Sequence, residues 1–423
     1  MKYIKHLRWY IAGMLTLITT INYLDRQALS VAQIQIEKEF HMTNTDYGYM
    51  GFAFLLAYGI MHPFMGRIID WLGTRRGMAF AAVWWSVASL AHAFSTGIGS
   101  FIVFRAFLGI GEAGNFPSCA KAVSEWFPAK ERGVATGIFN LGAGTGAMLA
   151  PIVIGLLIIH FGWRAAFFAT GFIGIAWLIL WLKLYHLPEN HPKLAPEELA
   201  YIKAGQATEI ADISEDNKRG VLKEVMGRKE MWGLCIARFL ADPVWLFYTL
   251  WLPKYFKAER GFDIKEIAFF IWIPFLAADL GSVLGGAISG FFIKRGWPVL
   301  KSRKAALCIS ASMMPMSIAA VYVGSWQLAL IFMCVPTFAH QSWSANLLTL
   351  PGDLFPKRMV ASVYGLSGTL GILFGAVVQI FVGKAADAGS YIPIFIVAGF
   401  MHPIAAVMVL ALIRPKKKQA VVA

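Results

Sequence analysis

The chain is poor in charge. Only 15% of its 423 residues are Asp, Glu, Lys or Arg, while 58% are hydrophobic; a soluble protein carries about 25% charged residues. Acids are the scarcer sign, with 24 Asp and Glu against 38 Lys and Arg and a formal net charge of +14. Cysteine is nearly missing. Cys119, Cys235, Cys308 and Cys334 all fall in apolar stretches, and no two have the spacing of a metal site or a disulfide framework; buried packing is the role this implies. The chain also lacks a GKS/T phosphate loop, an HExxH helix and a nucleophile elbow. Direct ATP drive and those two hydrolytic chemistries are thereby excluded. The expectation is a non-enzyme with no cofactor and no metal.

What the chain has in abundance is long apolar runs. Twelve blocks, at roughly 10–33, 47–69, 77–96, 99–121, 133–157, 163–187, 230–256, 266–294, 302–322, 325–350, 358–384 and 390–413, approach or exceed the length of a membrane-spanning helix, about 20 residues. This predicts an all-α membrane protein embedded in a lipid bilayer. Lys2, Lys5 and Arg8 precede the first block, but that block is too long for a signal-peptide core and lacks a cleavage site. Basic residues gather in alternate connections: Arg67, Arg75 and Arg76; Lys130 and Arg132; Lys294, Arg295, Lys301, Arg303 and Lys304; Lys357 and Arg358; then Arg414 and Lys416 to Lys418. That alternation is the positive-inside pattern, with both termini cytoplasmic. The positive charge therefore encodes orientation, and no nucleic-acid partner is implied.

Residues 1–187 hold six blocks and 230–423 hold six more, separated by a polar connection at 188–229. Pro196 followed by Glu197 and Glu198 predicts the start of a short amphipathic helix there, with a flexible polar segment running on through Arg219. The two halves echo each other. Glu125-Trp126-Phe127-Pro128 before Lys130 and Arg132 is matched by Asp353-Leu354-Phe355-Pro356 before Lys357 and Arg358. Two six-helix bundles related by an axis along the membrane normal predict a binding site near the midplane.

Four charges fall where hydrocarbon is expected: Asp25 and Arg26 in the first block, Arg105 and Glu112 in the fourth. Each costs about 2.5–3.5 kcal/mol at a span's centre on insertion scales and persists where it meets other charges, water or a charged cargo. Arg105 and Glu112, seven residues and about 10 Å apart, share one face of their helix. An arginine fork fits a carboxylate and stays charged, and a half-desolvated carboxyl exchanges a proton near neutral pH. Arg26 and Arg105 are thus candidates for anion binding, and Asp25 and Glu112 for proton coupling. An anion drawing a guanidinium away from its carboxylate links the two events, as symport requires. The bland alternative is a set of ion pairs that only fix helix packing.

Further candidates line the other blocks. Arg238 and Asp242 lie four apart with Pro243 after them; Arg238 is a second candidate cation for the cargo, or one half of an internal pair that Asp279 also competes for. His340, Gln341, Trp343 and Asn346 make a polar and aromatic cluster suited to sugar hydroxyls, with interhelical bonding as the alternative. Tyr23 and Tyr58 add hydroxyls. His62, His92 and His402 read as packing or interfacial residues. The GxGxxG run at Gly109–Gly114 is mid-span, where a dinucleotide fold has no place; it and Gly142, Gly144 and Gly146 read as close-packing positions.

The segment Gly66-Arg67-Ile68-Ile69-Asp70-Trp71-Leu72-Gly73-Thr74-Arg75-Arg76, between the second and third blocks, resembles the signature loop of the major facilitator superfamily. The resemblance implies an inner-side conformational latch at Asp70, Arg75 and Arg76. Leu7-Arg8-Trp9-Tyr10, Glu125 to Arg132, Arg238-Phe239-Leu240-Ala241, Lys265-Glu266-Ile267-Ala268 and Phe338-Ala339-His340-Gln341 resemble the bacterial hexuronate branch of the anion:cation symporters. This implies a bacterial inner-membrane carrier of sugar-acid anions with protons, acting as a monomer. In aldonate-carrying members a first-helix Asp-Arg pair and a fourth-helix Arg…Glu pair serve coupling and binding, and Asp25, Arg26, Arg105 and Glu112 match them. Ala143 and Arg238 stand where those members have glutamine, which favours a uronate or a dianionic acid. An aldonate or aldarate symporter is the alternative cargo class. A membrane sensor is the alternative function, and it would not need charges of both signs at two depths.

Overall fold

The computed structural model describes residues 3–206, 224–355 and 357–413. The polar stretch through Arg219 lies outside the described residues, as do the side chains of Asp70, Lys130, Arg132, Lys357 and Arg358. The described chain is helical almost throughout, apart from short turns and one β-bridge between Ile4 and Leu194. The first part runs α1 (Leu7–Phe40), α2 (Asn44–Leu72), α3 (Thr74–His92), α4 (Ile98–Glu112), α5 (Asn115–Trp126), α6 (Ala129–Phe161), α7 (Trp163–Leu184) and α8 (Pro196–Gln206). The second runs α9 (Lys229–Arg260), α10 (Ile264–Phe270), α11 (Trp272–Lys294), α12 (Val299–Met313), α13 (Met316–Tyr322), α14 (Trp326–Leu347), α15 (Leu350–Leu354), α16 (Lys357–Asp387) and α17 (Ile392–Leu412).

Four spans are broken into two helices each: α4 with α5, α10 with α11, α12 with α13 and α14 with α15. Counting each such pair once, and setting α8 aside, the helices make the twelve expected spans. Eight stretches are long and apolar enough to cross a membrane by composition alone. The spans outside that group include α1, α4–α5 and α14–α15, which hold the intramembrane charges Asp25, Arg26, Arg105 and Glu112 and the His340 cluster. Polar residues dilute their hydropathy, and burial among neighbouring helices lets the bilayer tolerate them; α1 has buried side chains along most of its length.

Local chemistry places the helix ends. Thr43 and Asp46 form a reciprocal capping box at the start of α2, with bonds of 3.1 and 2.9 Å, and Asp263 with Glu266 does the same for α10 at 2.8 and 2.9 Å. The repeated turn chemistry marks a stop in both halves: α5 ends at Trp126 before Pro128, and α15 ends at Leu354 before Pro356. α8 begins at Pro196, where the sequence places it. Its Glu198 accepts from the backbone N–H groups of Leu7 and Arg8 at 3.0 and 3.3 Å and pairs with the Arg8 guanidinium at 2.7 Å. A carboxylate thus meets the orphan donors at the start of α1.

Two compact units emerge. The first contains the described residues of Met1–Ile213 with Phe247–Leu276 and Ala376–Ser390; the second contains those of Ser214–Leu246, Ala277–Gly375 and Tyr391–Ala423. In the first unit, the end around α2's start is tied together. Asp387 accepts from the backbone N–H groups of Asn44 and Thr45, both at 2.7 Å. Lys254 and Lys257 both lie 3.4 Å from Glu37, and Tyr47 donates to the Leu250 carbonyl at 2.6 Å. At the same end Glu39 takes bonds from Arg164 and Trp163 at 2.7 and 2.6 Å, and these hold its carboxyl below the usual carboxylate range.

Glycine sets the closest helix approaches. A Cβ on Gly146 would sit 2.6 Å from both the Thr20 carbonyl oxygen and the Tyr23 Cβ, bringing α6 against α1; one on Gly111 would sit 2.6 Å from the Trp84 ring. A Cβ on Gly109 would overlap the Phe54 carbonyl oxygen. The glycine run in α4 is a packing surface and nothing like a nucleotide loop. Gly109→Ala is expected to cost about 1–3 kcal/mol through overpacking and to lower the melting temperature of the detergent-solubilised protein. Gly99→Ala on the same helix, where a Cβ meets nothing within 4 Å, should leave it unchanged or raise it.

Candidate functional site

The charged residues of α1 and α4 meet inside the first unit. Asp25 and Arg26 are neighbours in sequence, so their side chains leave α1 about 100° apart. Asp25 points to α3 and α7. It is fully buried, and its Oδ1 accepts from Ser89 Oγ at 2.7 Å, while Ser89 shares a 3.0 Å bond with Thr170. Its other oxygen is buried without a partner. Arg26 points to α4. Its Nε and Nη2 donate to Glu112 Oε2 at 3.0 and 2.9 Å, leaving Glu112 Oε1 buried and unpartnered. Three aromatic rings surround the Arg26 guanidinium, with centroids at 4.7 Å (Tyr23), 5.1 Å (Phe54) and 5.0 Å (Tyr58).

Arg105 is the exception. It is 3% exposed, yet no carboxylate lies within salt-bridge distance of it among the described residues. Its contacts are two 3.5 Å bonds from Nη1 and Nη2 to the Arg26 carbonyl oxygen and the face of Phe54 at 5.8 Å. Its Nε is buried and bonds to nothing. A guanidinium has five donors, and a buried charge normally has a partner. Arg105 has the charge and the planar fork that pair with a carboxylate. Glu112 is the last residue of α4, just before the break at Ala113 and Gly114, so its carboxylate sits at a point where the helix is already interrupted.

The second unit holds the other candidates. Arg238 Nε bonds Asp242 Oδ2 at 2.9 Å, and its guanidinium lies over the Tyr364 ring at 5.3 Å. Asp242, and not Asp279, is its carboxylate partner. His340 Nδ1 meets His402 Nε2 at 3.0 Å, and its ring stacks on Trp245 at 5.1 Å and 7°. Gln341 is half-buried. Trp343, 1% exposed, belongs to the apolar core with Leu234, Leu347 and Val409, which removes it from any surface a sugar ring could stack on. Asn346 is fully buried and donates to the Gly285 and Ser342 carbonyls at 2.8 and 3.0 Å, tying α14 to α11. Of the latch residues, Arg75 donates from Nη2 to the Leu182 carbonyl, fastening α3 to α7; Arg76 is exposed, and the Asp70 side chain lies outside the described residues. His92 stacks on Phe167 at 5.0 Å and bonds the Ala88 carbonyl, a packing role.

Sequence reasoning passed over Ser89, Thr170 and Phe54. Each is a neutral residue in an apolar span with no motif around it, and only its contact with a named charge marks it out.

A bundle of membrane-spanning helices with charges of both signs sealed inside is the architecture of a carrier. Comparison with known proteins gives the family. The model of the Major Facilitator Superfamily matches residues 15–378, and the chain belongs to that superfamily: it is a multi-pass membrane transporter and not an enzyme. It is similar to the hexuronate transporter of Escherichia coli (strain K12), 35% identical over 420 residues, covering 98% of this chain and 96% of that one. It is similar also to the galacturonate transporter of Dickeya chrysanthemi, 38% identical over 312 residues, covering 74% and 90%. Its fold matches the crystal structure of a bacterial homologue of the human lysosomal transporter Spinster, with a TM-score of 0.74 at 20% identity and coverage of 97% and 95%.

Proposed function

We propose that the protein is a proton-coupled importer of hexuronates, glucuronate and galacturonate, or closely similar sugar acids, in a bacterial inner membrane with both termini cytoplasmic. The observation that carries this is Arg105, a buried guanidinium with no carboxylate within salt-bridge distance among the described residues. One free fork matches one carboxylate. The two relatives, named for hexuronate and galacturonate transport, support the same cargo, and the alternating basic connections support the orientation.

Coupling follows from competition for Arg26. An anion entering beside Arg105 also attracts Arg26, one residue-width away. As Arg26 turns to the anion, Glu112 is left buried without its counter-charge, and a carboxylate in that position is neutralised by a proton. Proton and anion then bind together, and each strengthens the other's binding by the same factor. Asp25, held by the Ser89 hydroxyl, is a secondary proton site. Transport exposes the loaded site to one side of the membrane and then the other.

The direct test is uptake of labelled galacturonate into proteoliposomes under an inward proton gradient, with a competition panel. Galacturonate and glucuronate should accumulate and compete with each other, while aldonates and dicarboxylates compete weakly or not at all. Competition by dicarboxylates alone would overturn the cargo assignment.

A further inference from the structure

We infer that His402 is a positioning residue: it fixes the tautomer of His340 so that His340 Nε2–H is presented as a hydrogen-bond donor to a hydroxyl of the sugar acid. The inference rests on the proposed function for the identity of that acceptor, and on the geometry of the second unit for the rest.

The two rings lie nearly perpendicular, at 81°, with His340 Nδ1 and His402 Nε2 3.0 Å apart. Between two neutral imidazoles this bond carries one proton, and there are two ways to place it. If His340 Nδ1 donates, His402 must hold its own proton on Nδ1. That nitrogen is buried and has no partner, so an N–H would be orphaned. If His402 Nε2 donates, Nδ1 is a bare lone pair instead. Orphaned buried N–H groups are rarer than under-satisfied acceptors, and a buried donor without a partner costs its desolvation. The second arrangement is therefore favoured. It makes His340 Nδ1 the acceptor and puts the remaining proton of His340 on Nε2.

That nitrogen is the one left for a ligand. Among the described residues it makes no hydrogen bond, and it is not one of the sealed, unpartnered atoms as His402 Nδ1 is. His340 keeps a 4% exposure. Beside it lies the half-buried indole of Trp245, parallel to the imidazole. An uncharged donor next to an apolar plane suits a ring bearing hydroxyls better than it suits a carboxylate. His402 itself is 0% exposed and cannot touch a ligand; Trp343, at 5.3 Å, closes it in.

Three variants and one spectrum decide it. Nitrogen-15 NMR of histidine-labelled, ligand-free protein, with the His340 signals assigned by their loss in His340→Gln, should show a protonated Nε2 and a bare Nδ1. His402→Phe keeps the ring volume but removes the donor. It should mix the His340 tautomers and raise KM for galacturonate about 10-fold, the scale of one lost hydrogen bond, with Vmax nearly unchanged. His402→Gln, which restores a donor, should recover most of the loss and the wild-type spectrum. A protonated Nδ1 in the wild type overturns the inference, as does a His402→Phe protein with the wild-type tautomer and KM. A fall in Vmax and melting temperature with KM unchanged would show a purely structural role and also overturns it. Because the spectrum is read without ligand, a protein that fails to carry uronates would defeat the proposed cargo while still reporting on the histidine pair.

Discussion

Reconstituted Arg105→Ala is expected to lose galacturonate binding and uptake while folding at least as well as the parent. Truncating one partner of a buried, hydrogen-bonded charge pair costs about 2–5 kcal/mol, which corresponds to a loss of affinity of roughly 30-fold to several thousand-fold. The stability half of the prediction separates this residue from an ordinary ion-pair member. Removing one side of a satisfied buried pair strips its partner and lowers stability sharply. Among the described residues no carboxylate is within salt-bridge distance of Arg105, and Asp25 and Glu112 act on it only from further off, so its removal strips no hydrogen-bonded carboxylate. The melting temperature should stay level or rise without ligand, and the usual shift on adding galacturonate should vanish. Arg105→Lys keeps the charge but not the fork and should fall between. A clear drop in ligand-free melting temperature, or retained affinity, would take Arg105 out of the binding site.

Glu112→Gln is expected to separate transport from accumulation. One proton moving with one mono-anion is electroneutral, and a one-unit pH gradient then supports about tenfold accumulation. With an amide at 112 the main proton site is gone, so uptake should stop close to equal concentrations inside and out. Exchange of labelled for unlabelled galacturonate needs no net proton movement and should persist. The variant should also be insensitive to external acidification, where the parent's uptake increases as protons become available to the released carboxylate. Gradient-driven accumulation at the parent's level in Glu112→Gln would remove Glu112 from coupling. Among the described residues Glu112 is the one carboxylate paired with Arg26, so a lower melting temperature is expected alongside, and the exchange assay is what distinguishes a coupling defect from an unfolded protein.

Much of the fold was legible because the bilayer writes in coarse characters. Twelve apolar runs, the helix start at Pro196 and the repeated stops at Phe127-Pro128 and Phe355-Pro356 all depend on local composition. The breaks at Ala113–Gly114 and between α10 and α11 were not legible, since they interrupt runs that read as continuous. For the site, unpaired composition marked Asp25, Arg26, Arg105 and Glu112, but not who meets whom. Two residues seven apart share a face yet stand too far apart to bond, so Glu112 takes its partner from α1 and Arg105 is left without one. Trp343 and Asn346 illustrate the converse. Residue type suggested sugar contacts, whereas their positions on α14 turn them into the packed interior of the second unit. His402 read as a packing residue because nothing in its neighbourhood along the chain announces His340, 62 positions away.

The ring of Tyr23, Phe54 and Tyr58 around Arg26 has a bearing on turnover. Each π face holds a cation placed over it with about 0.5–2 kcal/mol. On the proposed coupling, a guanidinium leaving Glu112 passes from one ring face to the next without entering bare hydrocarbon. Under that proposal such a cushion flattens the path between the two ends of the side chain's swing, and the same arginine is surrendered and recovered in every cycle without a deep trap at either stop.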